Sequence, residues 1–227
     1  MDKEFSNLIP FGYPDGLGNS LHDMSLSFSH SDFGVELGIE LRLDIDGYWL
    51  GLLEDAGRLK SLVMSIPEED RDGKTFIATC RRKQDGGQFC GKEAERIQIL
   101  NDVAQYVDFV DVEDGVSVDI AAAKIIRSYH DFQGVPNFLE VSERLHSQTH
   151  SLVKIVGTAS NLSDNLKVRD FLKESSGNTG AFLMGAYGQP SRLLSRAWGS
   201  KLAYGSLQST ELAPGMLSIN DQIWAMF

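Results

Sequence analysis

Two side chains on neighbouring apolar runs could carry covalent chemistry. His130 closes the run I-I-R-S-Y-H (125–130), and Lys154 lies within S-L-V-K-I-V-G-T-A (151–159). A lysine in apolar surroundings, where the ammonium form is disfavoured, can attack a carbonyl and form an imine. Val153 and Ile155 flank Lys154 and suggest such surroundings. A histidine within reach could then move protons once the imine has formed. Taken alone, the pair is ambiguous. A lysine in a strand more often snorkels its charge to solvent, and a histidine after a strand is more often a satisfied polar residue.

Positioning these groups needs a scaffold, and the rest of the chain suggests one. Eight runs are expected as strands: 24–28, 38–43, 76–80, 106–113, 124–130, 151–157, 180–185 and 201–207. Apolar periodicity and capping residues predict helices over 48–66, 95–105, 137–145, 161–173, 191–198 and 218–227. The 95–105 helix is expected to bury Ile97, Leu100 and Ala104. Repeated strand-then-helix units imply parallel strands and right-handed crossovers, and eight of them suggest an α/β fold of the (β/α)8 barrel type. Residues 1–23, rich in Gly, Pro, Asn and Asp, read as an irregular arm, and 24–227 as a single barrel. The intervals after the first and before the fifth strand are too short for full helices; Asp119–Ala123 leaves room only for a short one. An open doubly wound sheet is the alternative, but no G-x-G-x-x-G turn follows a strand to support dinucleotide binding.

In a barrel, functional side chains collect at the carboxyl ends of the strands. Glu40, Arg42, Arg81, Asp111, Glu113, His130 and Lys154 lie near those ends on five strands and are expected to converge on one mouth. Ile39, Leu41 and Leu43 share one strand face, Glu40 and Arg42 the other. Simpler readings stand beside this one. Glu40 and Arg42 could form a plain structural ion pair, and Asp111 and Glu113 could be a solvated strand face. Arg192 could be a surface charge, and Met184 is by default a core filler.

The 227 residues carry 32 acidic and 21 basic side chains, a net charge of −11. That balance argues against nucleic-acid binding, because a phosphate backbone would be repelled. Cys80 and Cys90 fit no common zinc spacing and are expected to be free thiols in a reducing compartment. The start Met-Asp-Lys-Glu lacks the basic and apolar regions of a signal peptide, and no apolar run is long enough to span a bilayer. A cytoplasmic protein without membrane contact is expected, with no fused second domain after the last helix.

At this point several motifs, in order, resemble the type I 3-dehydroquinate dehydratase family. They are E-L-R-L-D (40–44), T-C-R (79–81), D-G-G (85–87), V-D-V-E (110–113), S-Y-H-D-F (128–132), V-K-I (153–155), S-R-L (191–193) and A-P-G (213–215). The resemblance implies a (β/α)8 barrel, usually a homodimer. It implies an enzyme that dehydrates 3-dehydroquinate to 3-dehydroshikimate, in the shikimate pathway, without metal or cofactor. It gives Lys154 the role of Schiff-base nucleophile and His130 that of general base and acid. Asp85 matches a glutamate that pairs with the histidine, but is one methylene shorter. Arg192 matches the arginine that binds the substrate carboxylate. Glu40, Arg42 and Arg81 match residues that contact the substrate or order the site, and Asp111 and Glu113 a supporting acidic layer. Met184 and Tyr204 match wall positions; Ala213 and Met216 belong to the loop that closes over the substrate. That loop departs from the family: Leu212 and Met216 stand where a serine and a glutamine would hydrogen-bond the substrate. Each polar group left unsatisfied costs roughly 1–3 kcal/mol. The departures leave room for another Schiff-base enzyme, of class I aldolase type, acting on a different ketone acid, or for a barrel that binds without catalysing.

Overall fold

The computed structural model describes residues 8–13, 36–65, 68, 73–206 and 213–218, of which 8–13, 36 and 37 are described by backbone alone. Its strands are β1 (Leu8–Tyr13), β2 (Glu36–Arg42), β3 (Thr75–Thr79), β4 (Phe109–Glu113), β5 (Lys124–His130), β6 (Leu152–Thr158), β7 (Thr179–Met184) and β8 (Gly205–Ser206). They form one sheet in the order β7-β6-β5-β4-β3-β2-β1-β8, and every pairing between them is parallel. The Lys201 N–H donates to the Thr179 carbonyl at 3.0 Å, which lays the approach to β8 against β7 and brings the two ends of the sheet together. The expected (β/α)8 barrel is therefore the fold.

Two alternating faces run along each strand, as a period of two requires. The inward face carries Ile77, Phe109, Ile126, Leu152, Val156, Phe182, Met184, Leu202 and Tyr204 as the barrel's apolar filling. The outward face packs beneath helices: α1 (Tyr48–Glu54), α2 (Gly57–Ser65), α3 (Glu93–Val103), α4 (Phe138–His146), α5 (Asp164–Glu174) and α6 (Gln189–Leu194). Ile39, Leu41 and Leu43 join the outward layer with Trp49, Leu59 and Leu100, so Glu40 and Arg42 face inward as expected.

Three sequence expectations are corrected, and two fall outside or almost outside the described residues. The strand β1 lies inside the segment read as an irregular arm. Pro10 and Gly12 signal a turn locally, but pairing with β2 over six residues overrides them; the β8 pairing begins only at Phe11, past the proline that has no N–H to give. The strand expected at 24–28 and the helix at 218–227 lie outside or almost outside the described residues. The helix expected over 48–66 is two helices. Asp55 breaks it, with extended backbone and a carboxylate accepting from the Gly57 N–H at 2.8 Å. On α3 Leu100 is buried as expected, and so is Ala104 just past its end, but Ile97 is only partly buried and Arg96, Ile99 and Val103 complete the stripe.

Between β4 and β5 the chain forms no helix. Arg127, outward on β5 and buried, secures the loop instead. Its guanidinium donates to the carbonyls of Glu113 (3.1 Å), Val116 (2.7 Å) and Thr149 (3.0 Å). A side chain thus covers sheet that a crossover helix covers elsewhere.

Candidate active site

The inward residues at the carboxyl ends of the strands line one pocket. Glu40, Arg42, Arg81, Asp85, His130, Lys154, Met184, Arg192, Tyr204, Ala213 and Met216 all border it. Every substrate-facing position inferred from sequence is therefore brought to the same mouth. Asp111 and Glu113 lie beneath as fully buried acids, not as a solvated face.

Lys154 is inward on β6. Strand alternation turns Val153 and Ile155 outward into the helix layer, so they do not surround its amine. The ammonium nitrogen instead lies against the Asp111 carboxylate, 3.5 Å from the Tyr204 hydroxyl and 4.7 Å from the centre of its ring. The apolar setting expected from sequence neighbours is replaced by an ion pair in a buried polar layer.

That layer is continuous. Arg81 reaches Asp111 at 2.8 Å and Glu113 at 3.1 Å. Ser128 accepts from Arg81 at 2.9 Å and donates to Asp111 at 2.5 Å. Arg96 comes in from α3 to meet Glu113 at 2.6 Å and the Cys80 carbonyl at 3.0 Å. Burial alone would raise the Asp111 carboxyl; the charges of Arg81 and Lys154 overcome it and hold the group far below the usual carboxylate range. Burial pushes the Tyr204 phenol well above its ordinary value, and Glu40 and Asp111 push it further, so it stays a neutral donor.

At the front of the layer, His130 ends β5 with its ring stacked 6.4 Å from Phe132. Burial, then the charges of Arg81 and Lys154, hold its imidazole well below the ordinary histidine value, against an opposing pull from Asp111. It is therefore neutral at pH 7, as a base must be. Its Nδ1 is buried with no hydrogen-bond partner among the described residues. The pairing with Asp85 suggested by resemblance is not made here. Asp85 borders the pocket, but its carboxylate accepts from Arg82 Nε at 2.6 Å.

Glu40 accepts from the Thr79 hydroxyl at 2.8 Å. Arg42 does not pair with Glu40 in a hydrogen bond but forks onto Asp44 through two contacts of 2.9 and 2.8 Å. Asp44 also accepts from the Gln88 N–H at 2.9 Å, which fixes Arg42 from behind. Arg192 is buried rather than a surface charge. The reason is local: Ser191 donates to the Gly188 carbonyl at 2.8 Å and accepts from the Leu183 N–H at 2.9 Å, pinning α6 so that the next residue turns inward. Its guanidinium lies 5.0 Å from the Phe182 ring centre and donates to the Pro214 carbonyl at 3.3 Å.

The 213–218 loop caps the pocket. Gly215, at φ 71°, approaches Gly185 so closely that an added Cβ would meet the Gly185 carbonyl oxygen at 2.3 Å, and the Gly185 N–H donates to the Pro214 carbonyl at 2.9 Å. Met216 packs on the apolar filling with Phe182, Met184 and Tyr204. Leu212 lies outside the described residues.

Comparison with known proteins settles the family. A family model described as type I 3-dehydroquinase matches residues 18–223. The chain belongs to the type I 3-dehydroquinase family. A 3-dehydroquinate dehydratase of Methanothrix thermoacetophila is 32% identical over 192 residues, 81% of this chain and 77% of that protein. One of Methanothermobacter thermautotrophicus is 31% identical over 199 residues, 83% of each. The crystal structure of a 3-dehydroquinate dehydratase from Geobacillus kaustophilus superposes with a TM-score of 0.74 at 17% identity, covering 97% of this chain and 89% of that one. Sequence reading gave no role to Ser128, Thr79 and Asp44, although they lie inside the motifs quoted above, and missed Arg96. The first two carried a signal, since each lies two residues before an inferred site residue on the same inward strand face.

Proposed function

We propose that this 3-dehydroquinase is a hydro-lyase that converts 3-dehydroquinate to 3-dehydroshikimate through an imine on Lys154. The observation that supports this most is the Lys154 amine in a buried polar layer at the barrel mouth, bordering the same pocket as a neutral His130 and an inward Arg192. The amine, once it has given its proton away, adds to the C3 ketone and water leaves, forming an iminium. The iminium draws electrons, so the C2 proton becomes acidic. His130 removes it, and the enamine expels the C1 hydroxyl as water with the proton His130 returns. A second water hydrolyses the iminium and restores Lys154. Because the iminium is itself the electron sink, the reading needs no metal or cofactor. Asp111 holds the lysine, Arg81 holds Asp111, and Glu113, itself held by Arg96, holds Arg81.

Arg192 is the carboxylate clamp, and Glu40, Arg42, Met184, Tyr204 and Ala213 form the walls. Arg192→Ala is expected to raise KM for 3-dehydroquinate about 10- to 100-fold, the loss of a charge-assisted hydrogen bond, with a smaller change in kcat. Steady-state kinetics check this; an unchanged KM would remove Arg192 from substrate binding. The reading also takes the protein as a cytoplasmic homodimer of the shikimate pathway. Unpaired Cys80 and Cys90 fit a reducing compartment.

Met216 favours a second reading, an imine-forming enzyme on a different ketone acid, because it offers apolar surface where substrate hydroxyls are expected. Borohydride trapping with 3-dehydroquinate, followed by peptide mass mapping, tests both. A reduced adduct on Lys154, together with enone absorbance from unreduced turnover, supports the dehydratase. Trapping by other ketone acids and not by 3-dehydroquinate supports the second reading.

A further inference from the structure

We propose that Arg82 is a positioning residue that holds the Asp85 carboxylate away from His130, so that the imidazole of the resting site has no carboxylate partner. The proposal deepens the dehydratase reading, on which His130 is the base.

Three observations carry it. Asp85 and His130 border the same pocket, yet the Asp85 carboxylate is taken by Arg82 Nε at 2.6 Å. His130 Nδ1 is buried and has no hydrogen-bond partner among the described residues. Packing joins the Asp85 turn to His130 through one ring. Gly86, next to Asp85 and at φ 80°, lies directly under Phe132: an added Cβ would sit 2.3 Å from the Phe132 ring, and that ring stacks on the imidazole.

The turn itself does not depend on the Arg82 side chain. The Asp85 and Gly87 N–H groups both donate to the Arg82 carbonyl, at 3.0 and 2.9 Å. Arg82 and Asp85 are each about one-fifth exposed, so water can replace the guanidinium without unfolding anything. An aspartate reaches less far than a glutamate, and an arginine three residues earlier at hydrogen-bond distance competes well for it.

The charges that face His130 set what its release from Asp85 means. Arg42 comes from β2, Arg81 from the end of β3, Asp111 from β4 and Lys154 from β6, with Glu40, Arg192 and Tyr204 on the same pocket wall. The cations nearest the ring outnumber Asp111, and the ring stays neutral. A second carboxylate at Nδ1 would favour the imidazolium and would also fix the ring's tautomer.

The test is a 15N-histidine NMR titration of the resting protein, which needs no turnover. Arg82→Gln is expected to raise the pH at which His130 titrates by about 1 unit, the scale for gaining an adjacent opposite charge. Its Nδ1 signal should move to that of a hydrogen-bonded N–H. Arg82→Gln/Asp85→Asn should return both readings to those of the wild type, and Asp85→Asn alone should change neither. If Arg82→Gln leaves the titration in place, or if Asp85→Asn alone lowers it, Asp85 is not withheld by Arg82 and the proposal is overturned. The acid limb of the kcat/KM profile should follow the same order among the four proteins. A titration shift in a protein that does not dehydrate 3-dehydroquinate would uphold the proposal while refuting the dehydratase reading.

Discussion

Lys154→Ala is expected to abolish both turnover and imine trapping. Removal of a covalent nucleophile commonly lowers kcat by about 10⁴-fold or more, because the remaining groups have no intermediate to act on. Here the loss is specific. The iminium is the only electron sink in the proposed sequence, and without it the C2 proton is that of an ordinary ketone. His130 would then face a much weaker acid. The fold should survive. Asp111 loses one cation but keeps Arg81 at 2.8 Å and the Ser128 hydroxyl at 2.5 Å. Its buried charge therefore stays compensated, and the destabilisation should fall short of the roughly 3–5 kcal/mol seen when a buried ion pair loses its only partner. Circular dichroism and a thermal melt should show a folded, cooperative protein. Borohydride with 3-dehydroquinate should add no mass. A folded Lys154→Ala protein with wild-type activity would refute the imine mechanism outright.

Much of this site was legible because strand alternation converts sequence spacing into direction. Glu40 and Arg42, or Asp111 and Glu113, share a face whatever the details of the barrel, and parallel strands carry that face to one end. The same rule exposes where reading by neighbours failed. Val153 and Ile155 adjoin Lys154 in the chain but point to the opposite side of the sheet, so the lysine's surroundings are set by Asp111 and Tyr204 from other strands. Arg96 was illegible for a related reason. It occupies the buried stripe of a surface helix, where an arginine is not expected, and its role appears only when β4 supplies Glu113 opposite it. The strand β1 hid behind proline and glycine because its stability comes from partners on both sides rather than from its own composition. Asp85 shows the limit of motif matching: it borders the pocket, but its carboxylate is held by Arg82 and not by the imidazole.

His130→Ala should separate the two halves of the chemistry. Lys154 and the polar layer behind it remain, so the imine should still form and trap with borohydride. Proton transfer loses its carrier, and kcat should fall about 10²- to 10⁴-fold, the usual worth of a positioned acid–base group. The pH dependence has a definite sign. The imidazole is a base only when neutral, and burial with Arg81 and Lys154 nearby holds its proton affinity down. The acid limb of kcat/KM for the wild type should therefore lie below about pH 6.5, the ordinary histidine value. Stability carries the same signature. As pH falls below about 6.5 the unfolded chain protonates this histidine and the folded protein does not, so the folded state loses free energy relative to it. Denaturant titrations between pH 7 and 5 should show a smaller loss in His130→Ala than in the wild type. If the variant instead fails to trap an adduct while remaining folded, His130 is needed to form the imine, and the base that takes the C2 proton must be sought between Glu40 and Asp85 on the same wall.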